Sequence, residues 1–224
     1  MNVLVELLGW AAGRIGDAVT PRQFRKEDKP PLMPIDQMIT DYIKAVQSKV
    51  GTKVDGFWGP KSIVACQAYL QRLMDASPNK WPATDQASLT KFYGAVGDTS
   101  QLVSLDVKDI EVHYEGAKVL TVRCHRKVAD SLRRVLVSLA KSHPHILREY
   151  AGCFANRAMR GGSTPSLHAR GAAIDLDPDN NANKQHWPAS ATMPFEVMEA
   201  FAREGWLSAG AFWGRDAMHF QATS

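Results

Sequence analysis

Cysteine is scarce in this chain, and its placement excludes two common uses. The 224 residues hold three thiols, Cys66, Cys124 and Cys153, with no Cys-x-x-Cys pair among them. An odd number at wide spacing implies no disulfide framework. Buried free thiols are the expectation, in a chain folded in a reducing cytoplasm. Long apolar runs are missing too. The most apolar start, MNVLVELLGWAA, is interrupted by Glu6 and has no Lys or Arg before it. It falls well short of the roughly 20 apolar residues that span a bilayer, so a short amphipathic helix is expected rather than an export signal or an anchor. Charge of one sign is modest, at +4 with a pI near 9.0. That suits an anionic surface but does not by itself call for a nucleic-acid partner. No internal repeat or long low-complexity run is present, which excludes solenoids and arrays. The apolar share of 45% supplies an ordinary core.

Three stretches read as joints. Residues 21–34 carry four prolines among charges, residues 77–85 form a shorter break, and residues 177–190 are polar and turn-rich. Between the first two, Ile35, Met38, Ile39, Tyr42, Ile43, Val46 and Val50 recur at helical steps. A turn at Asp55-Gly56 and a Pro60 suited to a first helical turn lead into a second amphipathic run through Ile63, Val64, Leu70, Leu73 and Met74. Such a short helical pair is too small for a robust fold of its own, so packing on a neighbour is expected. Further on, residues 107–112 and 119–124 alternate like strands around Glu115-Gly116, and 127–141 has helical spacing. Residues 172–176 read as a strand, 195–204 as a helix and 217–221 as a terminal strand. The fold class expected is α+β with a mainly antiparallel sheet. The divisions expected are a segment and linker at 1–33, a helical module at 34–76, a linker at 77–89 and a larger domain at 90–224.

Chemistry concentrates in Ser166-Leu167-His168-Ala169-Arg170-Gly171-Ala172-Ala173-Ile174-Asp175 and in Asp216-Ala217-Met218-His219. His168, Asp175 and His219 can supply three ligands to zinc and leave the fourth position to water, the mark of a catalytic site. Gly171 and the small alanines let the chain turn after His168 into a strand, which points Asp175 back toward the metal. Asp177, two residues on, points the same way and is a rival ligand. Asp216 is the candidate acid/base group. Arg157 is placed to clamp a substrate carboxylate or polarise the scissile carbonyl. Arg160, Ser166 and Trp213 are the candidates for substrate contact. Of the remaining histidines, His186 in the polar loop could touch substrate. His113, His125, His143 and His145 stand at no telling spacing.

The strings SLHARGAAIDLD and DAMHFQ resemble the metal-site motifs of the VanY-like zinc peptidases, Ser-x-His-x-x-Gly-x-Ala-x-Asp followed by Asp/Glu-x-x-His. AGCFANRAMRGG is similar to that family's arginine-bearing segment, and FYGAVGD to its opening, so the likeness runs over about residues 90–222. The family includes D-alanyl-D-alanine carboxypeptidases and phage L-alanyl-D-glutamate endopeptidases, on a fold shared with the hedgehog signalling domain. The resemblance implies one Zn2+ per chain on His168, Asp175 and His219, with Asp216 as base and Arg157 on the substrate. One departure stands out. Trp213-Gly214-Arg215 leads straight into Asp216 where many relatives have further residues, so the pocket rim and substrate preference differ. Residues 35–74 are similar to a small helical peptidoglycan-binding module, chiefly through VDGFWGPKS.

Taken together, these resemblances imply a modular phage endolysin that cuts a stem-peptide amide, with L-alanyl-D-glutamate as the leading bond. A D-alanyl-D-alanine carboxypeptidase of the envelope is the alternative, and a non-catalytic wall-binding or virion structural protein the remote one. The partner expected is peptidoglycan, with no nucleic acid, no stable membrane insertion and a monomeric state. The enzyme would wait in the host cytoplasm until a pore releases it to the wall. Removal of residues 1–80 is expected to spare cleavage of soluble fragments.

Overall fold

A computed structural model of the protein describes residues 35–158 and 162–224, and the expectations for residues 1–33 and for Arg160 lie outside them. Helix α1 (Ile35–Val50) carries Asp36 in its first turn and Lys49 in its last, charges that complement the helix dipole at each end. It buries Ile43, Val46 and Val50 on one face. Helix α2 (Pro60–Ala76) starts on Pro60, whose missing N–H is no loss there, and buries Cys66, Leu70 and Met74 at steps of one turn. Helix α3 (Gln86–Tyr93) is capped by Asp85, which accepts from Ser88 N, and runs across the boundary expected between residues 89 and 90.

Strand β1 (Leu102–Asp106) pairs antiparallel with β4 (Thr121–His125). Between them a two-residue hairpin joins β2 (His113–Tyr114) to β3 (Ala117–Lys118). Its turn, Glu115 at φ 48° and Gly116 at φ 79°, has the positive φ values that match strand twist. The strand expected at 107–112 is displaced to 102–106. Val107, Ile110 and Val112 are buried, so their alternation reports an inward face, while the Asp106 carboxylate accepts from Lys108 N and turns the chain. After β4 come α4 (Ala129–Ser142), the short α5 (Pro144–Leu147) and β5 (Tyr150–Gly152). The rest runs through β6 (Ala173–Leu176), the short α6 (Pro178–Asn181), α7 (Phe195–Arg203), β7 (Leu207–Ser208), α8 (Ala209–Trp213) and β8 (His219–Gln221). The four late strands form an antiparallel sheet in the order β5-β6-β8-β7. Helix and antiparallel sheet are thus mixed, as the α+β expectation has it.

Helix α7 is the hub. Its buried Phe195, Met198, Phe201 and Ala202 face the core, with Phe201 stacked on Phe220 of β8 at 3.9 Å. Helices α2 and α4 both pack against it. Tyr42 of α1 accepts from Phe195 N at 2.9 Å and donates to Met193 O at 3.3 Å. The buried Glu199 carboxylate receives Lys49 Nζ at 2.5 Å and Tyr69 OH at 2.6 Å, which offsets the cost of taking its charge out of water. Trp58 meets Trp187 edge-on at 5.0 Å. Residues 77–85 are irregular but anchored, since Asn79 Nδ2 and Trp81 Nε1 both donate to Glu204 O and Ser224 N donates to Pro82 O. The front helices therefore do not hang from a free linker. Residues 35–224 form one compact unit.

Candidate metal centre

Strands β6 and β8 set Asp175 directly opposite His219, so their side chains rise from neighbouring positions of one sheet face. His168 arrives from a single 3-10 turn, Leu167–Arg170, whose geometry rests on two residues. Ser166 caps the turn by accepting from His168 N, and Gly171 ends it at φ 65°. A Cβ at Gly171 would lie 2.8 Å from His125 N and 2.7 Å from the Leu102 side chain. Glycine is therefore required both for the left-handed backbone and for the close approach to β4. Buried Arg170 ties the same turn to α3 through Gly94 O, Gln86 Oε1 and Thr90 Oγ1.

The three side chains converge. His168 Nε2 lies 3.1 Å from Asp175 Oδ1 and 3.1 Å from His219 Nδ1, and His219 Nδ1 lies 2.9 Å from Asp175 Oδ1. Zinc bonds of about 2.0–2.1 Å in a tetrahedron separate neighbouring ligand atoms by about 3.3 Å. The outward atoms of both rings decide the chemistry. His168 Nδ1 meets the carbonyl oxygen of Cys153 at 2.7 Å, and His219 Nε2 meets Gln221 Oε1 at 3.1 Å. Both partners are acceptors, so each outward nitrogen carries a hydrogen, and in the neutral imidazole the inward nitrogen is then bare. Two nitrogen lone pairs and a carboxylate oxygen then face one another at hydrogen-bond distance, an arrangement that a cation satisfies. The residues present fit a zinc ion.

The protonated rings of the metal-free site act on Asp175 differently: burial works against its charged form, yet hydrogen bonds from His168 and His219 and their charges then hold its carboxyl well below the usual range. For His219, burial likewise opposes the charge, but the hydrogen bond and charge of Asp175 outweigh it and raise the imidazole. Among the described residues, these are the only three His, Cys, Asp or Glu side chains grouped for an ion.

The cluster floors a cleft of about 170 Å³, and most residues expected at the site meet there. Asp216 lines it from a left-handed backbone conformation at φ 57°, with its own carbonyl accepting from His219 N at 2.9 Å. Arg157 is exposed and lines it as well. Trp213, 46% exposed, lies over His219 with ring centroids 5.6 Å apart and near-parallel planes, forming one wall. Ser166 reaches the cleft but is buried and already engaged in capping.

Two lesser alternatives do not join this site. Asp177 does not join the ligands. It turns away at φ 50° and accepts from Asn180 Nδ2 at 2.8 Å and Asn181 Nδ2 at 2.9 Å, starting α6 instead. His186 does not line the cleft; its backbone bridges to Arg215 and bonds to Ser190. Sequence reasoning missed Gln221, Asn183 and Arg215, all of which line the cleft. Gln221 was within reach, because residues two apart on a strand share a face and His219 was already assigned. The Cys153 carbonyl was not, since backbone partners leave no mark in side-chain identity.

Residues 160–222 match the family model described as D-alanyl-D-alanine carboxypeptidase, a peptidase M15 model. The matched stretch contains His168, Asp175, Asp216 and His219, and excludes Arg157 and the front helices. No curated protein and no solved structure matches the chain. The match supports a peptidase that acts on peptidoglycan, and peptidases of this family depend on zinc.

Proposed function

We propose that this protein is a zinc metallopeptidase, with one Zn2+ per chain, that hydrolyses an amide of the peptidoglycan stem peptide. The observation that carries this reading is the set of three acceptor atoms, on His168, Asp175 and His219, converging within 3.1 Å while both outward ring nitrogens are engaged by acceptors. Zinc bound there supplies a Lewis acid and brings water's pKa toward neutrality. Asp216, at the cleft beside the cluster, takes the proton of the attacking water and returns it to the leaving amine. Arg157 pairs with a substrate carboxylate next to the scissile bond or with the oxygen on which charge develops. Trp213 covers one side of the peptide and Arg160 adds a further contact.

Within that class, the reading favoured is an L-alanyl-D-glutamate endopeptidase of the endolysin type, on a hedgehog-like zinc domain, acting as a monomer. The helices at 35–76 would hold the wall polymer, which raises the local concentration of scissile bonds. Such an enzyme would stay in the host cytoplasm until a pore admits it to the envelope. The family description favours a second reading, a carboxypeptidase that removes terminal D-alanine. Mass spectrometry of a defined peptidoglycan digest separates the two. Fragments with a new amino terminus at D-glutamate are expected. Release of D-alanine alone selects the second reading, and an unaltered wall in the presence of zinc removes the enzymatic reading altogether.

A further inference from the structure

Gln221 is only 8% exposed, and its amide is held at both ends. Its Oε1 lies 3.1 Å from His219 Nε2, and its Nε2 donates to Thr223 Oγ1 at 2.7 Å. Thr223 is itself 1% exposed. The two ends of a primary amide are not equivalent, because the oxygen only accepts and the nitrogen only donates. With the nitrogen on Thr223, His219 Nε2 meets the oxygen and must carry the ring hydrogen. The other nitrogen, Nδ1, is thereby left bare, and it is Nδ1 that faces Asp175 Oδ1 at 2.9 Å.

Without that partner, the ring would be drawn the other way. An Nδ1–H aimed at the Asp175 carboxylate makes a charge-assisted hydrogen bond, and its proton would occupy the position a cation needs. His168 is protected from this choice by the Cys153 carbonyl at 2.7 Å, a backbone group that no substitution removes. His219 depends on a side chain.

We propose that Gln221, backed by Thr223, is a positioning residue that holds His219 in the one tautomer able to ligate a divalent cation. This rests on the metal reading of the cleft given above. It explains the function of a buried amide that touches no other part of the proposed machinery.

The test uses the full chain with Gln221→Leu, Gln221→Glu and Thr223→Val, read by zinc affinity in competition with a chelator and by 15N resonances of the His219 ring in metal-free protein. In Gln221→Leu, the zinc Kd is expected to rise about 10–100-fold, the range for loss of a ligand-orienting partner. The ring hydrogen should move from Nε2 to Nδ1. In Gln221→Glu, an ionised carboxylate only accepts, so the Nε2–H tautomer persists and zinc binds at least as tightly as in the parent. Thr223→Val frees the amide to turn and should weaken zinc by less than Gln221→Leu does. Unchanged affinity and tautomer in Gln221→Leu overturn the proposal. So does a Glu variant as weak as the Leu variant, since packing alone would then account for both, and the Glu variant keeps the test decisive if the Leu variant does not fold. A parent protein that takes up no zinc overturns the metal reading instead, while the tautomer comparison still decides the role of Gln221.

Discussion

The front helices and the cleft both bury polar side chains, but they do so in opposite ways. In the front helices, the buried Gln47 amide is satisfied inward at every turn. Its nitrogen donates to Asp55 Oδ1, Phe57 O and Ser62 Oγ at 2.9–3.0 Å, and its oxygen accepts from Asp55 N and Gly56 N. This closes the turn at residues 55–59 and leaves no capacity for anything else. In the cleft, the outer atoms of His168 and His219 are equally well satisfied, yet in the neutral rings their inner nitrogens face each other with no hydrogen to share. A buried polar cluster that completes itself is architecture. One that completes itself on the outside alone is suited to a cation, as proposed above.

The sharpest way to break this contrast is to remove residues 35–76. Helix α7 would lose Tyr42, Tyr69 and Lys49 and expose Phe195 to water. Loss of soluble folded protein is expected by yield and circular dichroism; a stable, active remainder would return the helices to the status of an independent module. Next in size, Asp216→Asn should lower hydrolysis by about 10²–10⁴ while zinc content and melting temperature hold. Near-normal turnover would remove Asp216 from the chemistry. Acidification should weaken zinc binding by up to about tenfold per pH unit for each proton displaced. Because His219 is raised, this weakening should begin above the ordinary histidine value of about 6.5, and a chelator titration across pH that is flat to pH 6 would contradict it.

The same pair sets the sign for the metal-free protein. The depressed Asp175 contributes stability above about pH 3.9 that is lost as pH falls, and the raised His219 contributes stability below about pH 6.5 that is lost as pH rises. Its melting temperature should therefore peak between those limits. Smaller still, Leu70→Ala in the front core should cost about 2–5 kcal/mol by denaturant unfolding without altering zinc affinity. Last, Tyr42→Phe keeps the ring but loses two hydrogen bonds and should cost about 1–3 kcal/mol.

The cleft was largely legible from sequence because its chemistry sits in short strings. Gly171 and the alanines after it mark a turn into a strand, and the choice of Asp175 and His219 as partners of His168 came with the resemblance of the two strings to a known motif. Amphipathic periodicity likewise delivered α1, α2, α4 and α7 to within a few residues. What sequence did not carry is what joins these parts. Lys49 and Tyr69 lie 150 and 130 residues before Glu199 along the chain, and nothing local in either announces that partner. Residues 77–85 read as a linker because they are polar and rich in proline. They are anchored because Asn79 and Trp81 find the end of α7, a partner that composition does not encode. The strand expected at 107–112 went astray for a related reason, since alternation reports which side faces inward and not which residues pair.

Gln67 of α2 donates to the carbonyls of Ala211 and Phe212, at the end of the helix that carries Trp213. The front of the molecule is thereby fastened to the rim of its blade. Were the front helices to hold a polymer strand, as proposed above, these contacts would set the distance and angle at which it meets the cleft.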